Sequence, residues 1–149
     1  MEYRVAGIED IPQIQVVRHA VRENRLSDPS LVPDQDVEDY INRRGRGWVA
    51  VEEGKVVGFA IVSLLDQNVW ALFILPEKEG MGIGRELHDR MMDWYFSQSD
   101  KPIWLSTAPG TRAAGFYRAA GWKENGWYGN GELKFEMNSP DWKNRTPVL

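Results

Sequence analysis

Apolar positions change their spacing along this chain, and each change marks an element. Tyr3 to Ala6 reads as a short strand. From Ile8 to Glu23, Ile11, Ile14, Val17 and Val21 recur at helical spacing, with Pro12 in the first turn, where a missing N–H is tolerated. Asn24 to Pro33 holds Ser27, Asp28, Pro29, Ser30 and Pro33 and reads as a loop. Asp34 to Arg44 predicts a shorter helix with Val37, Tyr40 and Ile41 on one side, ended by Gly45 and Gly47. Trp48–Val51 and Val56–Leu65 read as strands of a hairpin turning at Glu53-Gly54. Asn68 to Leu75 is continuously apolar, the pattern of a strand buried on both faces.

A helical pattern resumes from Gly82 to Phe96, with Ile83, Leu87, Met91 and Trp94 or Tyr95 as its buried stripe. Ile103–Ser106 is a strand, Thr111–Ala120 a short helix, and Trp122–Trp127 and Leu133–Met137 two closing strands. In the last of these, Leu133, Phe135 and Met137 alternate with Lys134 and Glu136. Ser139 to Leu149 reads as a tail with little to bury. The expected organisation is one domain over residues 1–138 with a tail over 139–149, built as a mixed α+β, α/β-like sheet with helices on both sides.

Composition narrows the function. With 149 residues and 42% hydrophobic positions, one core is expected. No apolar run is long enough to span a membrane, and Met1-Glu2-Tyr3-Arg4 does not resemble a secretory leader, so a cytoplasmic protein without a membrane partner is expected. There is no cysteine and only two histidines, His19 and His88, so no metal site is expected. The former reads as a helix-face residue and the latter as exposed. A net charge of −4 argues against nucleic acid and leans faintly toward a cationic small partner. Arg43-Arg44-Gly45-Arg46, the one basic run, reads as a solvated helix end. The seven tryptophans suit a core, with several available to wall a cleft.

The chemistry concentrates in Phe73-Ile74-Leu75-Pro76-Glu77-Lys78-Glu79-Gly80-Met81-Gly82-Ile83-Gly84. Strand, glycine-rich turn and helix make an anion site: glycines let the backbone come close, and the first helical N–H groups have no partner of their own. A dinucleotide fold is the competing reading. It would open a domain and place an acid at the end of the next strand, whereas here the turn is central and that strand ends in Ser106-Thr107.

With the second motif, the chain resembles the GCN5-related N-acetyltransferases, the GNAT superfamily. The acyl-CoA pyrophosphate signature falls on Glu79-Gly80-Met81-Gly82-Ile83-Gly84, with Glu79 where Gln or Arg is usual. The second signature falls on Gly110 to Trp122, through Ala113, Phe116, Tyr117 and Gly121, with Gly110 in place of Asn and Trp122 in place of Phe. The resemblance implies a central mixed, mostly antiparallel sheet flanked by helices on both faces. It implies acetyl-CoA as cofactor and direct transfer of an acetyl group to the amine of a small acceptor.

The resemblance also places roles. Glu79, Gly80, Met81, Gly82, Ile83, Gly84 and Arg85 would surround the pyrophosphate. Phe73, Ile74 and Leu75 on one strand and Ser106 on the next would flank the pantetheine, with a bulge near Phe73 and Ile74 freeing an N–H for the thioester oxygen. Gly110 and Phe116 complete the cofactor side. Tyr117 is placed as general acid, since a phenol near pKa 10 lies close to a thiol near 8.5; Ser106 or Thr107 is the reserve. No acid stands in Asn68–Phe73 to serve as base. Glu23, Arg25 and Trp70 are expected on the acceptor side, with Arg22 and Asp28 nearby. A coenzyme-A-binding protein without turnover is the alternative reading, favoured by the Glu79 and Gly110 departures. An exposed strand edge leaves a homodimer open.

Overall fold

A computed structural model describes residues 1–21 and 32–145 of the chain. β1 (Glu2–Val5) leads into a tight 3-10 turn at Ile8–Asp10 and then α1 (Ile11–Ala20). The turn forms because the Asp10 carboxylate accepts from the Gly7 N–H at 2.8 Å and from both Arg4 Nη atoms at 2.8 Å. α1 buries Ile11, Ile14 and Val17, as the spacing predicts, and ends at Ala20; Val21 is already extended.

α2 (Asp34–Asp39) widens into a π-turn at Tyr40–Arg44. β2 (Gly45–Glu52) then starts three residues before the expected Trp48. Gly45 and Gly47 therefore lie within a strand. A Cβ on Gly45 would collide with the Val62 carbonyl, so this glycine serves the close approach of β2 to its neighbour.

β3 (Lys55–Ser63), β4 (Asn68–Ile74), α3 (Ile83–Gln98), β5 (Ile103–Thr107), α4 (Arg112–Ala119), β6 (Lys123–Tyr128), β7 (Glu132–Met137) and α5 (Ser139–Lys143) complete the described chain. The seven strands form one sheet in the order β1-β2-β3-β4-β5-β7-β6, antiparallel throughout except where β5 runs parallel to β4. Helices cover both faces. Phe59 lies beneath the Arg18 guanidinium of α1, while the adjacent Gly58 faces Ile74 and Leu87 of α3. α3 buries Ile83, Leu87, Met91 and Tyr95, the expected stripe. No described helix is long and apolar enough to cross a membrane.

Three expectations change. β4 is not buried on both faces: Trp70, Leu72, Phe73 and Ile74 are half-exposed, because its apolar run lines an opening. His88 is fully buried instead of exposed. The stretch from Ser139, expected to bury little, forms α5 and returns Trp142 to the core at 2% exposure. The Trp142 Nε1–H donates to the Asp93 carboxylate at 2.9 Å, and its ring meets His88 edge-on at 5.5 Å.

Removing that ring leaves a large void, and such truncations cost about 3–5 kcal/mol. Trp142→Ala should lower the urea midpoint accordingly; a loss under about 1 kcal/mol would mean that α5 adds nothing to the core.

Candidate functional site

The glycine turn builds an anion-binding backbone. Leu75 closes β4 by donating its N–H to the Val57 carbonyl at 2.9 Å. Gly80 and Gly82 then take φ of +78° and +83°, a left-handed conformation that side chains resist. The first main-chain bond of α3 runs from the Glu86 N–H to the Gly82 carbonyl at 3.1 Å. The N–H groups of Ile83, Gly84 and Arg85 are thus without a helical acceptor, and no described side chain caps them.

Charge at the turn is shared between two elements. Lys78 is held by Glu52 at 2.7 Å and Arg85 by Asp89 at 3.2 Å. Glu79, standing where the signature has a polar or basic residue, pairs at 3.3 Å with Arg112 from the first turn of α4. The cation missing from position 79 therefore arrives from α4.

An open trough leads away from this turn. Arg112, Gly84, Ile74 and Phe116 border it at the turn. It continues along Leu72, Phe73, Ala113 and Tyr117 into the cleft between β4 and β5, where Trp70, Ser106, Thr107 and Glu132 stand. The cleft exists because β5 pairs with β4 at one position, Asn68 opposite Trp104. There the Asn68 side chain donates to the Trp104 carbonyl at 3.1 Å and the Trp104 N–H to the Gln67 carbonyl at 3.0 Å. Above that point the strands part.

The irregularity in β4 lies at Trp70, not near Phe73 and Ile74. Val62 faces Val69 and Ile61 faces Ala71, leaving Trp70 unmatched, while Phe73 and Ile74 pair regularly with Phe59 and Gly58. Since Leu75 donates toward β3, strand alternation turns the N–H groups of Leu72 and Ile74 to the open edge. Parting of the strands, not a bulge, frees these donors. The bulge instead stacks Trp70 on Tyr40, ring centroids 4.0 Å apart and planes within 6°.

Tyr117 is packed against Phe116, Trp122 and His88, and its hydroxyl makes no hydrogen bond with any described residue. Burial pushes this phenol well above its usual value of 10. At the other side of the cleft, Ser106 Oγ donates to Glu132 Oε1 at 2.8 Å. The Thr107 hydroxyl is buried without a partner among the described residues, an orphan polar atom in a cleft.

Behind Tyr117, the Trp122 Nε1–H donates to His88 Nε2 at 2.9 Å. Nε2 must then be the acceptor, so the proton sits on Nδ1 and points to the Asp89 carboxylate at 2.9 Å. Burial lowers the His88 pKa; Asp89 opposes that shift without overcoming it, and Arg85 and Arg145 add to it.

Arg18 comes from the last turn of α1. Its guanidinium lies 5.0 Å from the Trp70 ring, 5.2 Å from Phe73 and 5.7 Å from Phe59. Nε and Nη2 are buried and donate to no described residue, and burial pushes the Arg18 pKa down to about 10. Cation–π contacts give roughly 0.5–2 kcal/mol each, whereas burying an ion costs several kcal/mol and leaves its N–H groups unsatisfied here.

The residues singled out in the sequence divide accordingly. Trp70, Phe73, Ile74, Ser106, Phe116 and Tyr117 meet in the trough, and Glu79, Gly80, Gly82, Ile83, Gly84 and Arg85 border its turn end. Leu75 is buried against β3, Met81 points to solvent at 65% exposure, and Gly110 borders none of these openings. Glu23, Arg25, Arg22 and Asp28 lie outside the described residues. His19 is exposed on α1. Sequence reasoning missed Arg112, Glu132 and Arg18. Arg18 had a signal: Ile11, Ile14, Arg18 and Val21 share one helical stripe, and a cation on an apolar stripe needs a reason.

The model of the family described as Acetyltransferase (GNAT) family matches residues 14–122. Among solved structures, the PaiA N-acetyltransferase from Thermoplasma acidophilum, in complex with coenzyme A, aligns at a TM-score of 0.80 and 15% identity over 93% of this chain and 100% of its own. An acetyltransferase from Streptococcus agalactiae aligns at 0.78 and 21% identity, over 93% and 98%. The ribosomal-protein-alanine N-acetyltransferase from Brucella melitensis aligns at 0.76 and 20% identity, over 93% and 100%. Identities this low speak for the fold alone. No curated protein matches in sequence.

His88 makes stability depend on pH. Its folded pKa lies below its unfolded one, so between the two the unfolded chain binds the extra proton and stability rises with pH. The advantage of wild type over His88→Gln in urea unfolding should be full above about pH 7 and shrink as pH falls below about 6.5. A gap that ignores pH would show that His88 is not held neutral.

Proposed function

Because the chain belongs to the acetyltransferase (GNAT) family, we propose that it is an N-acetyltransferase that moves the acetyl group of acetyl-CoA directly to the amine of a small acceptor. One observation carries this reading: a single trough joins the uncapped N–H groups of Ile83, Gly84 and Arg85 to the unbonded hydroxyl of Tyr117. The orphan Thr107 hydroxyl and the split of β4 from β5 fit a long, polar-ended ligand equally well.

Ile83, Gly84 and Arg85 would hold the pyrophosphate through their N–H groups, with Arg112 supplying the charge. The N–H groups of Leu72 and Ile74 would steady the pantetheine amides and the thioester oxygen. When bound, acetyl-CoA supplies the acetyl group as a thioester, whose sulfur departs with an electron pair. Tyr117 meets that need. Burial keeps its proton in place throughout the physiological range, so the hydroxyl is a donor whenever a base forms beside it. The sequence-based match of pKa values does not hold for the free phenol; the same dry cleft raises a thiol too, which narrows the difference.

Glu132 is the base. Its carboxylate stands in the cleft, oriented by Ser106, where an amine entering past Trp70 would give up its proton directly or through a water. The acceptor nitrogen then bonds the acyl carbon as the carbon–sulfur bond breaks. An incoming ammonium would give its first proton to Glu132; the phenol proton of Tyr117 would go to sulfur, and the second nitrogen proton would return to the phenolate, so that only the proton on Glu132 is passed to water.

Calorimetric titration with acetyl-CoA should give one saturable site; the absence of binding would overturn the reading. Tyr117→Phe should bind equally well but release thiol about 10²–10⁴-fold more slowly with any accepted amine, whereas a binder without turnover would be unaffected. Glu132→Gln should lose a similar factor at neutral pH and recover part of it at high pH, where the amine is already deprotonated. Arg112→Ala should weaken acetyl-CoA about tenfold, roughly 1.4 kcal/mol, and Glu79→Gln, which removes a negative charge beside the glycine turn, should tighten it; the opposite order would remove Arg112 from the site.

A further inference from the structure

We infer that the acceptor amine also carries a carboxylate, as an amino acid does, and that Arg18 receives that carboxylate. This inference rests on the proposed transfer to an amine and names its substrate class. Nε and Nη2 share one edge of the guanidinium, and these are the two buried donors without a partner among the described residues. Two parallel N–H groups on one edge match the two oxygens of a carboxylate. No described acid pairs with Arg18.

Position ties this fork to the cleft. Trp70 and Phe73, whose faces the guanidinium covers, also border the cleft beside Tyr117. Val21, just past the end of α1 and three residues beyond Arg18, borders the trough. Trp70 and Phe73 are common to the fork and the cleft and make an apolar floor there, suited to the carbon chain that separates an amine from its acid. The long Arg18 side chain is half-buried and has the rotatable bonds to swing its fork along that floor toward the cleft. Whole-chain charge leans toward a cationic partner, but the cleft holds the Glu132 carboxylate with the Arg18 cation beside it, which suits an acceptor that carries both signs.

The test titrates the free and coenzyme-A-loaded protein with matched pairs: glycine, β-alanine, 4-aminobutyrate and the protein amino acids, each against its amide. Tryptophan fluorescence, sensitive at Trp70, and calorimetry report binding without turnover. At least one acid should bind ten times more tightly than its amide. Arg18→Met should reduce that preference to under twofold while leaving the melting temperature equal or higher, since it removes an unpaired buried charge. Arg18→Lys, which keeps the charge but loses the fork, should fall between them. The inference fails if no acid outbinds its amide, if the preference survives in Arg18→Met, or if Arg18→Met mainly destabilises the fold and binding of acids and amides falls together. Acetyl-CoA titrated into the same samples separates the two readings. Its failure to bind defeats the transferase reading and leaves the acid-over-amide preference measurable. Acetylation of neutral amines with no acid preference defeats only the inference.

Discussion

A single pairing between parallel strands decides the architecture of this site. β4 and β5 are joined at Asn68 and Trp104 and nowhere above. Two adjacent strands that stop bonding leave main-chain groups that must find other partners, and here they face an open trough. The Leu72 and Ile74 donors, the buried Thr107 hydroxyl that no described group pairs with, the placement of Tyr117 and Glu132 in one cleft and the apolar lining of β4 all follow from that divergence. A sheet paired to its end would have no site.

The rear of the trough is rigid for a different reason. His88, Phe116, Tyr117, Trp122 and Trp142 pack ring against ring with centroids 5.3–6.3 Å apart. Two indole N–H groups are satisfied at their edges, by His88 and by Asp93. Large rings with fixed polar edges have few ways to repack. Tyr117 therefore presents its hydroxyl from a wall that does not yield, and α5 closes that wall from behind.

Most element types were legible in the sequence because they follow from spacing: the stripe of α3, the alternation of β7 and the strand–glycine–helix turn each have one period that fits. What sequence hid was set by contacts between distant elements. Arg112 reads as a helix start until α4 is laid against Glu79. Glu132 falls just before the strand read from Leu133, and nothing local shows that Ser106 will bond it in the cleft. His88 reads as exposed because nothing local announces that Trp122 and Trp142 will enclose it. Trp142 follows Pro140 and Asp141 in a polar stretch, and only its partner Asp93, two helical elements earlier, explains its burial. The bulge at Trp70 is invisible locally, since it depends on the register that β3 imposes.

The Glu79–Arg112 pair has a kinetic meaning. An arginine already neutralised by its own carboxylate projects little field into solvent, so an approaching anion is not drawn in from a distance. Its capture is an exchange, in which one counterion leaves Arg112 as another takes its place. Under the proposed function, such a mouth favours a ligand that can displace Glu79 through several groups at once over small anions that carry only charge.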